Sequence, residues 1–504
     1  MREFVMNKLL ILATAATLTA CTSVDSEVSL DSPQDNATVD VSEHPKTNEW
    51  YSQGQAAVAQ RANIPLNTNK AKNVILFIAD GMGISTITAA RIYDGQSRGE
   101  TGEENSLSFE AFPSLALVKT YNTDAQVPDS AGTASAMNTG IKTAIGVISQ
   151  AADQENECYG PSKDFPKTIA EIAEAKGLAT GVVSTASITH ATPAAVYAHS
   201  PTRDWEADAN VPADKSALGC QDIAQQLVQF SIGDGIDVAL GGGKRYFYPN
   251  DDGGERKDGR DLVDEWQQKY TDGAFVTNAE ELSQATKTND KLFGLFSSKH
   301  MAFEADRSAT QEPSLTEMTA SAIDVLSRNK DGYFLMVESG RVDHAHHATN
   351  AYRALTDAQE FSRAVQAAVE TVNLDETLIL VTADHSHVFT IAGYPERGNP
   401  ILGFVAWSDG GSREYTNAAD GKPYTTLGYH NGPNATTDGR KEVTEEEVLN
   451  DNYLQETAIE MSSETHSGED VALFAVGPWS HLVNGVIEQN EIFHIIDHAM
   501  GLTK

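Results

Sequence analysis

Asp343 and His347 stand four residues apart in VESGRVDHAHHATN, so on a helical turn both side chains project from one side. A carboxylate and an imidazole held that way are usual members of a zinc ligand set. A solvated polar turn is the plain alternative, because His344, His346 and His347 cannot all be ligands. Two further stretches offer the same chemistry: adjacent Asp384 and His385 in TADHSHV, and His466 in ETHSGED. A nucleophile is the other kind of candidate. In VPDSAGTASAMNTG, Ser130 follows Asp129 among small residues, yet it lacks the Gly-x-Ser-x-Gly elbow and the next histidine downstream is the distant His190. Either something other than a neighbouring base activates Ser130, or it is a turn or helix-start serine of the kind that Ser, Asp and Gly commonly build.

Four apolar runs rich in Val, Ile, Leu and Phe predict buried parallel strands separated by helical patterns. NVILFIAD ends at Asp80, ahead of Gly81 and Gly83; ATGVVSTASITH ends at His190; GYFLMVESG reaches Glu338; TLILVTADHSH reaches Asp384 and His385. In an open α/β sheet the carboxyl ends of parallel strands form the functional rim, so four chemically capable ends predict one shared site. The intervening helices read as packing elements. Ser314-Leu315-Thr316-Glu317 forms a capping box with Leu315, Met318, Ala322 and Leu326 on one face, and Ala358, Phe361, Val365, Ala368 and Val372 make a second stripe. Residues 397–462 turn to Gly, Asn, Tyr and acidic residues with little periodicity and read as a surface insertion.

At 504 residues and 40% hydrophobic content the chain can hold one large α/β domain with insertions or two to three ordinary domains. Its 72 acidic residues against 36 basic ones give a net charge of −36, which repels nucleic acid and requires strong local positive charge at any phosphate site. The opening MREFVMNKLLILATAATLTAC places Arg2 and Lys8 before an apolar run too short to span a bilayer, which predicts a signal peptide over residues 1–21. Its end, Leu18-Thr19-Ala20-Cys21, resembles a bacterial lipobox. That implies membrane contact through a lipid anchor at Cys21 and a periplasmic or cell-surface location; secretion after cleavage near Ala20 is the alternative. Residues 22–47 are acidic, lack aromatics and read as a disordered tether. Cys158 and Cys220 remain, as a disulfide, as two free thiols or as part of a metal site.

The motifs FIADGMG, VPDSAGTASA, HATPAAVYAHSPTRDW, VESGRVDHAHH, TADHSH and ETHSGEDV, taken in order over roughly residues 70–400 and 460–504, resemble the alkaline phosphatase family. GCQDIAQQL, LGGGKRYFYP and EPSLTEMTASAIDVLSRN are nearer to its animal-type members. The resemblance implies a three-layer α/β/α sandwich around a large, mostly parallel sheet, with residues 48–504 as the catalytic domain and 397–462 as a crown-like insertion. It implies a first zinc held by Asp343, His347 and His466, and a second held by Asp80, Asp384 and His385 beside Ser130. A magnesium would take Asp80, Thr192 and Glu338, with His190 reaching it through water. Arg203 would grip the phosphate and Asp129 would orient Arg203. The implied reaction is hydrolysis of phosphate monoesters through a phosphoserine, with zinc in place of a histidine base. Three divalent cations and Arg203 outweigh Asp80, Glu338, Asp343 and Asp384, and exposed acids beyond about 8 Å are largely screened at physiological salt. Also implied are a Cys158–Cys220 disulfide, a homodimer, and loss of the calcium site of animal members, since Ser297 follows Phe296 where they carry Glu. His344 stands where the best-studied bacterial enzyme has Lys. Phosphodiesterases and sulfatases share such a rim, but the sulfatase Cys-x-Pro-x-Arg signature is absent, and a surface binding protein without turnover would not need Ser130 and Arg203.

Overall fold

In the computed structural model, which describes residues 48–154, 157–158, 165–409, 411–436 and 439–503, ten strands build one sheet. They are β1 (Asn73–Ala79), β2 (Ser114–Lys119), β3 (Ala179–Ser187), β4 (Val238–Gly242), β5 (Ala274–Val276), β6 (Leu292–Leu295), β7 (Tyr333–Ser339), β8 (Thr377–Thr382), β9 (Val471–Val476) and β10 (Asn484–Glu488). Their order is β10-β2-β9-β8-β1-β7-β3-β4-β6-β5. Only β9 runs against its neighbours, pairing antiparallel with β2 and β8. The four apolar runs are β8, β1, β7 and β3, which lie side by side at the centre and are buried along almost their whole length. Continuous burial is what a parallel strand covered on both faces demands. Register sets Glu338 of β7 beside Ile78 of β1 and Ser184 of β3, so the chain leaves these strands at one common edge.

Helix α1 (Glu49–Ala62) belongs to a separate compact unit from Ile64–Lys504. In the larger unit the helices that matter here are α2 (Ile84–Ser97), α3 (Ser130–Thr139), α4 (Ala191–Tyr197), α5 (Ile223–Gln229), α6 (Leu315–Leu326), α7 (Arg341–His347) and α8 (Ala351–Thr371). The expected capping box starts α6: Ser314 Oγ accepts from Glu317 N at 3.1 Å, and Ser314 N donates to Glu317 Oε2 at 2.8 Å. Along α8 the stripe Ala358, Phe361, Val365 and Ala368 is fully buried, whereas Val372 caps the helix just past its last turn.

Residues 397–462 carry short strands rather than bare loop. Leu427–Gly432 and Thr457–Glu460 join Phe389–Ile391, which precedes this stretch, in a three-stranded sheet, and Ala406–Asp409 pairs with Ser412–Tyr415. Strands this short give no period to read. Cys158 and Cys220 are disulfide-bonded, with Cα atoms 5.0 Å apart at a sequence separation of 62, which decides among the three alternatives that the residues left open. No helix among the described residues is long and apolar enough to cross a membrane. The leader, Cys21 and the acidic tether lie outside the described residues.

Candidate active site

Each rim residue is delivered by the end of an element. Asp80 follows β1, and the chain turns at once through Gly81, whose φ of 74° suits glycine. A Cβ there would fall 2.4 Å from the His387 ring and 3.2 Å from the Asp343 Cα, so the turn must lack one. Glu338 ends β7, and α7 then raises Asp343 and His347 from one side, as their spacing predicts. Asp384 and His385 follow β8. Ser130 is the first residue of α3, where the unpaired backbone N–H groups and the helix dipole favour negative charge. Asp129 is the N-cap: Oδ1 accepts from Gly132 N, and Oδ2 accepts from Gly146 N, both at 3.1 Å.

Tautomers decide what the first cluster can hold. His347 Nδ1 donates to the Glu464 carbonyl at 2.6 Å, and His466 Nδ1 donates to the Pro128 carbonyl at 2.9 Å. Both Nε2 atoms therefore carry lone pairs, yet they lie 3.2 Å apart, with Asp343 Oδ1 at 3.3 Å from one and 3.4 Å from the other. Two lone pairs and a carboxylate cannot satisfy one another, and a cation satisfies all three. Asp343, His347, His387 and His466 together offer ligand atoms within 4.8 Å. His387 is engaged otherwise: Nε2 bonds Asp343 at 2.7 Å and Nδ1 bonds the Glu464 carboxylate at 2.5 Å. Burial would lower its pKa, but those two carboxylates push it up to about 10, which makes His387 a prop for Asp343. Burial opposes ionisation of Asp343, and His347, His387 and His466 nevertheless hold it well below the usual carboxylate range.

The second cluster surrounds Ser130. His385 Nε2 lies 3.2 Å from Ser130 Oγ, a contact that sequence spacing concealed. A serine–histidine–carboxylate triad needs its acid on the opposite ring nitrogen. Here Asp80 and Asp384 approach the same Nε2, at 3.4 and 3.3 Å, so serine, imidazole and two carboxylates converge on one point. That is ligand geometry. Burial, then the charges of Asp384, Asp343 and Glu338, push Asp80 well above the usual carboxylate range, and both its carboxylate oxygens are buried without a hydrogen bond.

The third cluster is mainly oxygen, with one imidazole beside it. Glu338 Oε1 and Thr192 Oγ1 are likewise buried without a hydrogen bond, and Asp80, His190 and Glu338 come within 4.8 Å. Arg203 Nη2 stands 3.0 Å from His190 Nε2 and can only donate, so the His190 proton sits on Nδ1. A protonated nitrogen reaches a cation through water rather than directly. The other guanidinium arm, Nη1, bonds Asp129 Oδ2 at 3.2 Å. All twelve residues expected from the sequence thus lie around this rim. The remaining histidines of α7 divide as the spacing requires: His346 is a core residue bonded to Thr86 and Tyr429, and His344 accepts from Arg341. Glu464 and His387 are not among the residues expected from the sequence, although each stands two residues from a ligand, His466 and His385, and the pairing of His466–Ser467 with Ser386–His387 sets the two motifs side by side.

These geometries have known counterparts. A family model described as alkaline phosphatase matches residues 71–502. The human tissue-nonspecific alkaline phosphatase is 43% identical over 470 residues, covering 89% of this chain and 88% of that protein. An alkaline phosphatase of Gadus morhua is 41% identical over 475 residues, 91% of this chain and 98% of its own. The chain belongs to the alkaline phosphatase family. Hydrolysis of phosphate monoesters is the activity of such an enzyme, and the metal-accepting clusters above are what its chemistry needs. Among solved structures, the alkaline phosphatase of the Antarctic bacterium TAB5 superposes with a TM-score of 0.60 at 26% identity, over 86% of this chain and 100% of that one. The Thermus thermophilus enzyme shares the fold with a TM-score of 0.63 at 22% identity, over 88% of this chain and 94% of that one.

Glu338 supplies a test that needs no substrate. Burial, helped by Asp384 and Asp343 and opposed by Ser184, pushes its pKa up to about 7 from 4.5. A raised carboxyl pKa means that the folded chain holds the proton more tightly than the unfolded one. The stability it contributes is full below 4.5 and is lost as pH rises through about 7. In chelator-treated protein, Glu338→Gln is expected to melt above the wild type near pH 8 and to lose that advantage near pH 4.5. Equal melting offsets at both pH values would show that Glu338 is not a buried carboxyl without counter-charge.

Proposed function

We propose that the chain hydrolyses phosphate monoesters at Ser130 through a phosphoserine that water then cleaves, with two zinc ions and one magnesium ion as resident metals. Asp343, His347 and His466 would hold one zinc, Asp80, Asp384 and His385 with Ser130 the other, and Asp80, Glu338 and Thr192 the magnesium. Bound there, the ions would supply Lewis-acid stabilisation of anionic oxygen and offset the four carboxylates. The observation that carries this reading is the pair of lone-pair nitrogens, His347 Nε2 and His466 Nε2, 3.2 Å apart beside Asp343. Donor chemistry separates the sites: mixed nitrogen and oxygen suits zinc, and oxygen alone suits magnesium.

The chain's own groups account for positioning. Ser130, 1% exposed at the start of α3, is aimed by its helix at the point where Asp80, Asp384 and His385 Nε2 converge. Attack forms the bond from Oγ to phosphorus as the ester oxygen leaves, with a proton, as the alcohol; water then reverses the exchange and releases inorganic phosphate. Arg203 presents its fork to two phosphoryl oxygens, and Asp129 and His190 fix the plane of that fork. Arg203→Ala is expected to weaken inorganic phosphate on the order of 10- to 100-fold, the equivalent of one charge-assisted contact. Competitive inhibition assays measure it; an unchanged inhibition constant would remove Arg203 from the site.

Residues 1–21 are read as an export leader with Cys21 as the lipid anchor, and 22–47 as its tether. The same reading takes 48–504 as the catalytic chain, 397–462 as its crown-like insertion, and a homodimer at the periplasmic or cell-surface side as the working unit. The leader of the sequence supports the export part of this reading, and the insertion and the homodimer rest on the family resemblance.

A further inference from the structure

We propose that the Cys158–Cys220 disulfide and the Trp205 ring packed against it are positioning elements for Arg203, and so set the affinity of the site for a phosphoryl group. The proposal rests on the reading of Arg203 as the phosphate-gripping residue. Trp205 lies two residues after Arg203 and is 6% exposed. With Val211 and Cys220 it forms a small apolar cluster, with Cys158 packed on it, distinct from the main core. The segment that carries Arg203 is therefore held at Trp205 by this local cluster and by hydrogen bonds, and it meets the large core only further on, at Ala207.

Those bonds run to two sides. Trp205 O accepts from Ile223 N at 2.8 Å and Glu206 O accepts from Ala224 N at 3.3 Å, which ties the segment to the first turn of α5. Helix α5 begins three residues after Cys220, so the disulfide fixes the anchor to which the segment is tied. On the rim side, Arg203 N donates to Gly146 O at 2.7 Å, and the Glu206 carboxylate accepts from Ser187 Oγ at 2.8 Å and Thr189 Oγ1 at 2.6 Å. The guanidinium itself has one bond to Asp129 and one to His190. A long, flexible side chain with two single contacts keeps its fork in place only if its backbone is fixed. Buried Arg256 also grips Asp222, the cap of α5, at 3.0 Å, so opening the disulfide removes one of two holds on that side, and neither cysteine belongs to a metal-binding cluster.

The test is calorimetric binding of inorganic phosphate to the metal-loaded protein, with metal content measured in parallel. Wild type before and after reduction by a non-thiol phosphine, Cys158→Ser/Cys220→Ser, Trp205→Ala, Trp205→Phe and Arg203→Ala are compared. Reduction, the double serine variant and Trp205→Ala are expected to weaken phosphate by about 5- to 20-fold with unchanged zinc, since sub-ångström misplacement of a clamping group carries penalties of this order. Trp205→Phe, which keeps an aromatic wedge, should stay within about twofold of wild type. Should Trp205→Ala fail to fold, the reduced wild type and the double serine variant decide. Weaker binding in Arg203→Ala alone, with the others merely melting earlier, would overturn the positioning role, as would metal loss in step with affinity. Unchanged binding in Arg203→Ala would overturn both this proposal and the assignment of Arg203 beneath it.

Discussion

Ser130→Ala is expected to lower turnover by about 10⁴-fold or more and to leave no acid-stable phosphoenzyme, because the hydroxyl is the only atom that can carry the phosphoryl group in the proposed reaction. The fold should tolerate the change. Asp129, not Ser130, caps α3, and the Ser130 side chain contributes one contact, to His385. Alanine is a good helix former, and the vacated space is a single oxygen. Asp80, Asp384 and His385 remain, so metal content should stay near that of the wild type. Steady-state rates and elemental analysis on the same preparation check both parts. Activity within tenfold of wild type, or labelled phosphate trapped on another residue of the variant, would sink the nucleophile assignment.

His347→Ala is expected to release one zinc per chain and to lower activity by about 10³-fold or more, since loss of one of three protein ligands opens the site outright. The loss follows from geometry: with Nε2 gone, His466 and Asp343 are left as two donors, and Asp343 falls back onto His387 at 2.7 Å. Glu338→Gln should behave differently, giving up magnesium while both zincs stay, because its carboxylate groups with Asp80 and His190, and Thr192 adds a further unpartnered buried oxygen. Elemental analysis of the two variants side by side makes the comparison. Equal loss of zinc in both would mean that the rim is one shared site, not three.

Much of this architecture is legible in the chain itself. Buried parallel strands announce themselves as unbroken apolar runs, and the runs ending at Asp80, His190, Glu338 and Asp384 proved to be the central four strands. Local signals also carried the capping box of Ser314 and the shared side of Asp343 and His347. The division of ligands among sites came from the family's motif order, not from spacing. What the sequence concealed was long-range. Ser130 and His385 meet across 255 residues, and no local pattern states that contact. Glu464 and His387 lie within quoted motifs, but their partnership depends on pairing of His466–Ser467 with Ser386–His387. The strands within 397–462 are too brief to show alternation.

Passage of the phosphoryl group through Ser130 is tested by acid quenching of the metal-loaded enzyme during turnover of a labelled phosphate monoester. Peptide mass mapping should find phosphate on Ser130 within VPDSAGTASAMNTG, approaching one per chain at low pH and disappearing when unlabelled substrate is chased in. Sustained hydrolysis with no phosphopeptide, or phosphate on a neighbour such as Thr133, would contradict the account.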